Sequence, residues 1–330
     1  MPYIRFEGKS HECRDDESVL DCLIRHGITI TSSCRSGVCQ TCLMRATEGQ
    51  VPEAAQQGLK ETLRARNYFL ACVCKPKGDL GVACPDAMAS TRTQVTVLAK
   101  EILDGNIVRL RLGCPIPLDY RPGQFLHLHR VDGLVRSYSI ASLPQSEEAI
   151  ELHVRHLPGG RMSGWINDTL RPGDTVEVSQ PAGQCFYLPG QPEQGLLLIG
   201  TGSGLAPLWG ITRDALAQGH SGSIHLYHGS HGPDGLYLVQ ELRALAQRHP
   251  NFRYTPCVSG PNVPEGYAAG RAEDIAFSQL PKLAGWRVFL CGHPGMVAKA
   301  RKKAFLSGAS MKDIYADPFV IAPDTNQSAA

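Results

Sequence analysis

Apolar residues along this chain change their period twice, and each change marks a different kind of element. At the start, Tyr3-Ile4-Arg5-Phe6 alternates as a strand does when one face is buried. Over 18–26 the apolar residues fall at helical spacing, which predicts a helix with Ser18 as N-cap and Gly27 as its stop. Beyond a small, polar stretch at 85–93, strand-like runs recur at 94–98, 107–112, 124–129, 149–155 and 175–179. Pro122-Gly123 and Pro172-Gly173 punctuate them, and many short strands with such turns predict a small antiparallel barrel. A third texture begins near residue 194. The run 195–200 is a continuous apolar stretch bounded by glycines, as strands covered on both faces are. Further strands are expected at 223–228 and 286–291, with helices at 236–248 and 295–307 between and after them. Alternating strands and helices predict a doubly wound domain.

The expected fold class is therefore multidomain. An α+β unit occupies 1–86, a linker 87–93, an antiparallel β-barrel 94–190, an α/β doubly wound domain 191–320 and a loose tail 321–330. A length of 330 residues fits two or three domains, and 42% hydrophobic with 19% charged residues describes an ordinary folded protein. No apolar run reaches the ~18 residues that a membrane span needs. The net charge is +2 and no basic stripe is interleaved with aromatics, which argues against nucleic acid as a partner. The chain has 12 cysteines, and its start lacks the charged and apolar regions of an export signal. A reducing, cytoplasmic setting and a monomeric chain are expected.

Four cysteines stand out by spacing. Cys34, Cys39 and Cys42 form C-x4-C-x2-C, and Cys72 follows in Leu-Ala-Cys. This is the ligand pattern of a plant-type [2Fe–2S] cluster, with three thiolates from one tight loop and a fourth from elsewhere. Ser36 and Gly37 let the loop bend and aim N–H groups at the sulfurs. A zinc site usually shows two C-x2-C-like pairs, which the first gap here does not provide. Cys74, two residues on, competes with Cys72 for the fourth place. The remaining cysteines read as small buried hydrophobes.

Other motifs suit flat rings and phosphates. Arg136-Ser137-Tyr138-Ser139 offers a forked phosphate donor, a ring for stacking and a hydroxyl beside it, which are the needs of a flavin. His153-Val154-Arg155 ends a later strand, and Gly159-Gly160-Arg161-Met162-Ser163 opens a helix whose free N–H groups suit phosphate. Gly200-Thr201-Gly202-Ser203-Gly204-Leu205-Ala206-Pro207 joins an apolar strand to a helix, with glycines where backbone must approach a pyrophosphate. It departs from G-x-G-x-x-G. After the second strand of that domain, Ser230-His231 has no Arg or Lys beside it to meet a 2′-phosphate, and Asp234 would repel one. Arg213 and Arg271 are the more distant cations, so NADH is expected over NADPH. His225, His228 and His231 do not converge on a metal at their spacing, and His127 and His129 share one strand face that reaches solvent or a carbonyl. Lys299, Arg301, Lys302 and Lys303 make a basic helix face that reads as solvated.

Taken together, the motifs resemble the ferredoxin–NADP reductase family preceded by a plant-type ferredoxin domain, over about residues 1–320. R-x-Y-S at 136–139, G-x-x-S at 160–163, G-T-G-x-G-x-A-P at 200–207 and C-G-x-P-x-M at 291–296 carry the resemblance. It implies FAD against Arg136, Ser137, Tyr138, Ser139, His153, Val154, Arg155, Gly160, Arg161, Met162 and Ser163, with Phe319 over the ring. It implies NADH (or NADPH) at Gly200, Thr201, Gly202, Gly204, Pro207, Cys291, Gly292, Pro294 and Met296, with Ser230 and His231 at the far ribose. Tyr138, Ser139 and Cys291 take the catalytic positions, Cys291 beside the reacting nicotinamide carbon. Gln40 stands where many relatives carry Gly. The domain order resembles reductase components of bacterial multicomponent oxygenases. That implies an NADH-dependent oxidoreductase passing electrons through FAD and a [2Fe–2S] cluster to an electron-accepting protein, an oxygenase component. A CDP-6-deoxy-glucoseen reductase shares this layout. A non-enzymatic iron–sulfur carrier or sensor would have no use for Arg136 or the Gly200 loop.

Overall fold

The computed structural model describes residues 1–320 except 33, 38–39, 86–91 and 105. Cys39, most of the expected linker and the expected tail thus lie outside the described residues. The chain divides into two compact units, Met1–Arg92 and Thr93–Ala330.

In the first unit the elements run β1 (Tyr3–Phe6), β2 (Lys9–Glu12), α1 (Val19–Arg25), β3 (Leu43–Glu48), α2 (Glu61–Arg64), β4 (Tyr68–Leu70) and β5 (Leu80–Ala83). The five strands form one sheet in the order β2-β1-β5-β3-β4, with β1 and β5 parallel. Ser18 caps α1 as its sequence suggests, accepting the Asp21 N–H at 3.1 Å. The helix buries Val19, Leu20, Cys22 and Leu23. Its first N–H is held by the Cys74 carbonyl at 2.8 Å, which ties α1 to the turn carrying Cys72.

The second unit begins with β6 (Arg92–Leu103), β7 (Ile107–Gly113), β8 (Phe125–His129), β9 (Val135–Ser139), β10 (Ala149–Arg155), α3 (Arg161–Gly164) and β11 (Thr175–Ser179). These strands make a sheet in the order β10-β7-β6-β11-β8-β9. An antiparallel bridge between Ile140 and Leu152 joins the two ends of that order into a barrel. β6 runs past the expected 94–98 because its pairing with β7 resumes after a bulge at Val97/Ala99. Polar Lys100 and Glu101 hide that extension from a hydrophobicity reading. Lys100 Nζ turns inward and donates to the carbonyls of Ile166, Asn167 and Leu170, in and just past the π turn at Trp165–Thr169. A further difference is that Arg136 to Ser139, outside the expected strand runs, are a barrel strand. They form β9 itself, Phe125 opposite Ser139 and His129 opposite Val135.

The same unit continues with β12 (Leu196–Thr201), α4 (Leu205–Ala217), β13 (Ile224–Ser230), α5 (Val239–Arg248), β14 (Phe252–Val258), β15 (Ala268–Ala269), α6 (Ala272–Gln279), β16 (Arg287–Gly292), α7 (Pro294–Leu306) and β17 (Ile314–Pro318). Its sheet is parallel throughout, in the order β15-β14-β13-β12-β16-β17. The order reverses direction at β12 and β16, so their carboxyl ends open a crevice of the kind in which doubly wound folds bind ligands. α5 starts later than the expected 236, because Leu238 takes a left-handed conformation (φ 55) that a helix cannot pass. One latch joins the barrel to this sheet. Arg213 of α4 meets Glu147 at 2.5 Å and the Ala141 carbonyl at 2.6 Å, and stacks over Trp209.

Candidate functional site

The cysteine loop belongs to the first unit. Cys34 is exposed and Cys42 buried just before β3, while Cys72 lies half-buried in a single 3-10 turn, Ala71–Val73, after β4. The Ser36 N–H approaches the Cys34 sulfur at 3.5 Å, and the Gly37 N–H is bonded to Cys72. Burial raises the Cys72 thiol and the Cys42 thiol bonded to it adds to the rise, with Cys34 contributing, while the Gly37 N–H opposes them. Cys72 therefore faces two of the loop cysteines. Cys74 faces neither Cys34 nor Cys42. It is fully buried, and burial is the one cause that lifts its thiol to about 12. Three thiols of soft-donor type, with N–H groups aimed at two of them, fit an iron–sulfur cluster. Gly37 sits at φ 77 beside the Val73 methyls, a left-handed conformation that side-chain-bearing residues rarely adopt. Gln40 sits at φ 58, a left-handed conformation in which a side chain costs strain.

In the barrel, β9 presents the R-x-Y-S residues at the edge of the strand order. Tyr138 packs against the barrel core, and burial pushes its phenol up. Arg136 is half-buried, with Nη1 on the Val135 carbonyl at 2.8 Å, and Ser137 bonds to His127 across the strands at 2.9 Å. Ser139 is buried and its hydroxyl is hydrogen-bonded to Asp317. His153 and Val154 bury their side chains, so only main chain is left there for a ligand. His153 Nε2–H donates to Glu151 at 2.9 Å, and its Nδ1 takes the Tyr237 hydroxyl at 3.1 Å. Burial lowers His153 below its ordinary range, so it is the neutral ring that makes these bonds. Arg155 alone of the three is exposed. At Gly160, the N-cap of α3, a side chain would collide with the Ser163 hydroxyl, which closes the turn by accepting the Leu157 N–H at 3.1 Å. A narrow turn of bare backbone beside an arginine-bearing strand edge fits a pyrophosphate.

The nucleotide loop leaves β12 as a 3-10 turn, Gly202–Gly204, and enters α4. Gly204 lies directly against the Cys291 carbonyl of β16 and Gly292 against Thr201, so the two ends of the crevice are packed backbone to backbone. The Thr201 hydroxyl accepts the His293 N–H at 2.9 Å, and His293 caps α7 through the Gly295 N–H at 3.1 Å. Pro294 is the first residue of that helix and Met296 is buried beneath it. From the other side, fully buried His228 donates its Nε2–H to the Gly202 carbonyl at 3.2 Å; burial holds it down at about 4 and therefore neutral. Ser230 ends β13 and His231 follows on the surface. Arg213 is consumed by the latch to Glu147, which leaves Arg271, exposed at the N-cap of α6, as the remaining candidate for a phosphate.

Cys291 lies at the centre of this crevice. In register it stands between Gly200 on β12 and Asp317 on β17, and its thiol is fully buried 3.6 Å from the Cys185 sulfur. Burial, then Cys185, keep it far above the ordinary thiol range. Asp317 was not visible to sequence reasoning. Burial lifts its carboxyl to about 6 against the Ser139 hydrogen bond that lowers it. An acid inside the otherwise apolar Ile314–Pro318 strand, two residues before Phe319, was the available signal. Phe319 is half-buried, its N–H on the Gly292 carbonyl at 2.7 Å.

The remaining candidates disperse. His225 packs on Trp286, His228 on Tyr237, and the His231 carbonyl holds Gly260, so the three histidines do not share a centre. Lys299 and Lys303 pair with Glu273 and Asp274. Cys13, Glu17 and Cys22 lie close together, but both thiols donate to backbone carbonyls and Arg25 holds the carboxylate at 2.8 Å.

Comparison with known proteins matches this geometry domain by domain. Residues 4–77 match the 2Fe-2S iron-sulfur cluster binding domain, 94–187 the oxidoreductase FAD-binding domain and 198–302 the oxidoreductase NAD-binding domain. The ferredoxin–NAD(P)+ reductase component of the naphthalene 1,2-dioxygenase system of Pseudomonas putida is 34% identical over 308 residues, covering 92% of this chain and 93% of the relative. The reductase subunit of an Amycolatopsis aromatic O-demethylase is 36% identical over 310 residues, covering 90% and 92%. The crystal structure of the Amycolatopsis cytochrome P450 reductase GcoB superposes with a TM-score of 0.68 at 32% identity, covering 97% of this chain and 99% of that one. With all three domain families matched and nine-tenths or more of the chain shared with these relatives, the chain belongs to the ferredoxin–NAD(P)+ reductase family with an N-terminal [2Fe–2S] domain, and is an oxidoreductase carrying electrons from NAD(P)H through FAD and the cluster.

Proposed function

We propose that this chain is the NADH-dependent reductase component of an oxygenase system, delivering single electrons to a partner oxygenase in the cytoplasm. The observation that carries the reading is full-length similarity to reductase components named for a dioxygenase and a demethylase. Among the described residues no helix is long and apolar enough to cross a membrane. In this reading the ferredoxin domain occupies 1–86, the barrel 94–190 and the nucleotide domain 191–320. Cys34, Cys39, Cys42 and Cys72 hold the cluster. The flavin would supply the conversion between a two-electron donor and a one-electron acceptor.

The chain's own residues then have separable roles. Arg136, Gly160 and Ser163 bind phosphate, and the main chain at 153–155 lines the flavin with Tyr138. Gly200 to Gly204 carries the nicotinamide dinucleotide's phosphates at the head of α4. Cys291 stays a neutral thiol and packs beside the reacting ring without placing a charge there. Ionised Asp317 accepts a hydrogen bond from the Ser139 hydroxyl, and protonated Asp317 donates one to Ser139 Oγ, so the hydroxyl can be held as donor or acceptor toward the flavin. Phe319, its N–H pinned on the Gly292 carbonyl, would cover the flavin ring. Purified protein with about two irons and one FAD per chain, reducing its oxygenase partner at the expense of NADH, meets the expectation. Failure to reduce any oxygenase encoded beside it, with cytochrome c still reduced, would overturn the acceptor while leaving the family intact.

A further inference from the structure

The Cys291 thiol sits on a main chain that has no freedom. Its carbonyl is packed on Gly204, and its strand is paired on both sides, to Gly200 and to Asp317. What remains free is one side-chain rotation. A thiol on a strand has three staggered positions, and only one of them points a given way into the crevice. The contact that selects among them comes from the other half of the unit. Cys185 Sγ lies 3.6 Å from Cys291 Sγ, with Cys291 at 0% exposure and Cys185 at 6%. Cys185 is itself held through its main chain and the loop before it. Its carbonyl packs against Gly123 in a barrel turn (φ 96), the preceding Ala182 pairs with Phe125, and Gln124 holds the Gly183 carbonyl at 3.2 Å. An arm of the flavin barrel, held at several points, therefore ends on the thiol that the nucleotide sheet carries.

We propose that Cys185 is a positioning residue for hydride transfer, fixing the Cys291 thiol in one orientation at the nicotinamide site through a thiol–thiol hydrogen bond. The inference rests on the reading of Cys291 as the neighbour of the reacting ring. Because the arm starts in the barrel, it also ties that thiol's position to the flavin rather than to the nucleotide domain alone. Burial, and then the Cys185 contact, keep Cys291 protonated, so a hydrogen is present to make the bond.

The test compares Cys185→Ala, Cys185→Ser, Cys291→Ala and the double alanine variant in the FAD-loaded protein. Rapid-mixing flavin reduction by NADH gives a limiting rate and a Kd, and infrared spectra give the S–H stretch that Cys291→Ala removes. Cys185→Ala is expected to lower the limiting rate about five-fold, the worth of one buried hydrogen bond, with the Kd changed less than about two-fold. Its Cys291 S–H band moves to the position of an unbonded thiol. Cys185→Ser, which keeps a donor and acceptor, restores the rate. The double variant is no slower than Cys291→Ala, because Cys185 acts through Cys291. An unchanged rate and band in Cys185→Ala overturn the proposal, as do effects that multiply in the double variant. If Cys291→Ala leaves flavin reduction intact, the placement of Cys291 fails instead, and the band shift still reports whether the two thiols bond. Should Cys185→Ala not fold, Cys185→Val fills the space without a donor and takes its place.

Discussion

Two single residues separate the readings of the site most sharply. Cys72 and Cys74 lie two apart, and spacing alone left both open as the fourth cluster ligand. Folding separates them: the 3-10 turn at Ala71–Val73 turns Cys72 toward Cys42 and Cys34 and sends Cys74 into the core beneath α1. Cys72→Ser is expected to abolish the cluster's visible absorption and reduce iron content, while Cys74→Ser retains both; the opposite pattern would transfer the ligand. Asp317 is the residue whose state depends on pH. Its folded carboxyl lies at about 6, above an unfolded value of about 4. A raised value means that stability from the neutral form is full below about pH 4 and is lost as pH rises through about 6. Replacing it with Asn removes that loss. The Asp317→Asn protein should therefore gain on the wild type between about pH 4 and 7, by on the order of 2 kcal/mol in urea unfolding. A difference that does not vary with pH would show that the carboxyl titrates normally.

Among the elements, the strand-to-helix turns carry the chemistry, and their glycines are needed for close approach. Gly204 has ordinary helical angles (φ −60), so its conformation is open to any residue. What excludes a side chain is the Cys291 carbonyl against it. Gly204→Ala must therefore move either the loop or the end of β16, and backbone cannot yield cheaply. An NADH Kd weakened about ten-fold or more and a stability loss of about 2 kcal/mol are expected, measured by titration and by thermal unfolding. Retention of the wild-type Kd would mean that the loop does not carry the dinucleotide. Most of these elements were legible because local pattern and tertiary role agree. Ser18 caps the helix its sequence announces, and the uniformly apolar run after Gly195 is the buried parallel strand it suggests. β9 was missed because Arg136-Ser-Tyr-Ser is polar enough to pass for a turn, while its pairing to β8 satisfies the backbone regardless of side chain. The polar half of β6 was missed for the same reason.

At the level of the molecule, nucleotide choice depends on where distant cations end up. Sequence offered Arg213 and Arg271 as sources of charge for a 2′-phosphate. Folding spends Arg213 on Glu147 and Ala141, at the joint between barrel and sheet, and leaves Ser230 and His231 with no arginine of their own at the end of β13. A higher kcat/KM for NADH than for NADPH follows, and His231→Arg should narrow that gap by about ten-fold; steady-state assays near pH 7.5 decide it, and a native preference for NADPH would point to Arg271. By itself the sequence determined the three domains, their order and their cofactors, because cysteine spacing and glycine-rich turns are local requirements of chemistry written in consecutive residues. Only the tertiary structure decided which of two cysteines faces the cluster loop, that Asp317 meets Ser139, and that Cys185 meets Cys291 across 106 residues. Such contacts depend on how barrel and sheet close on one another, and no spacing along the chain encodes that distance.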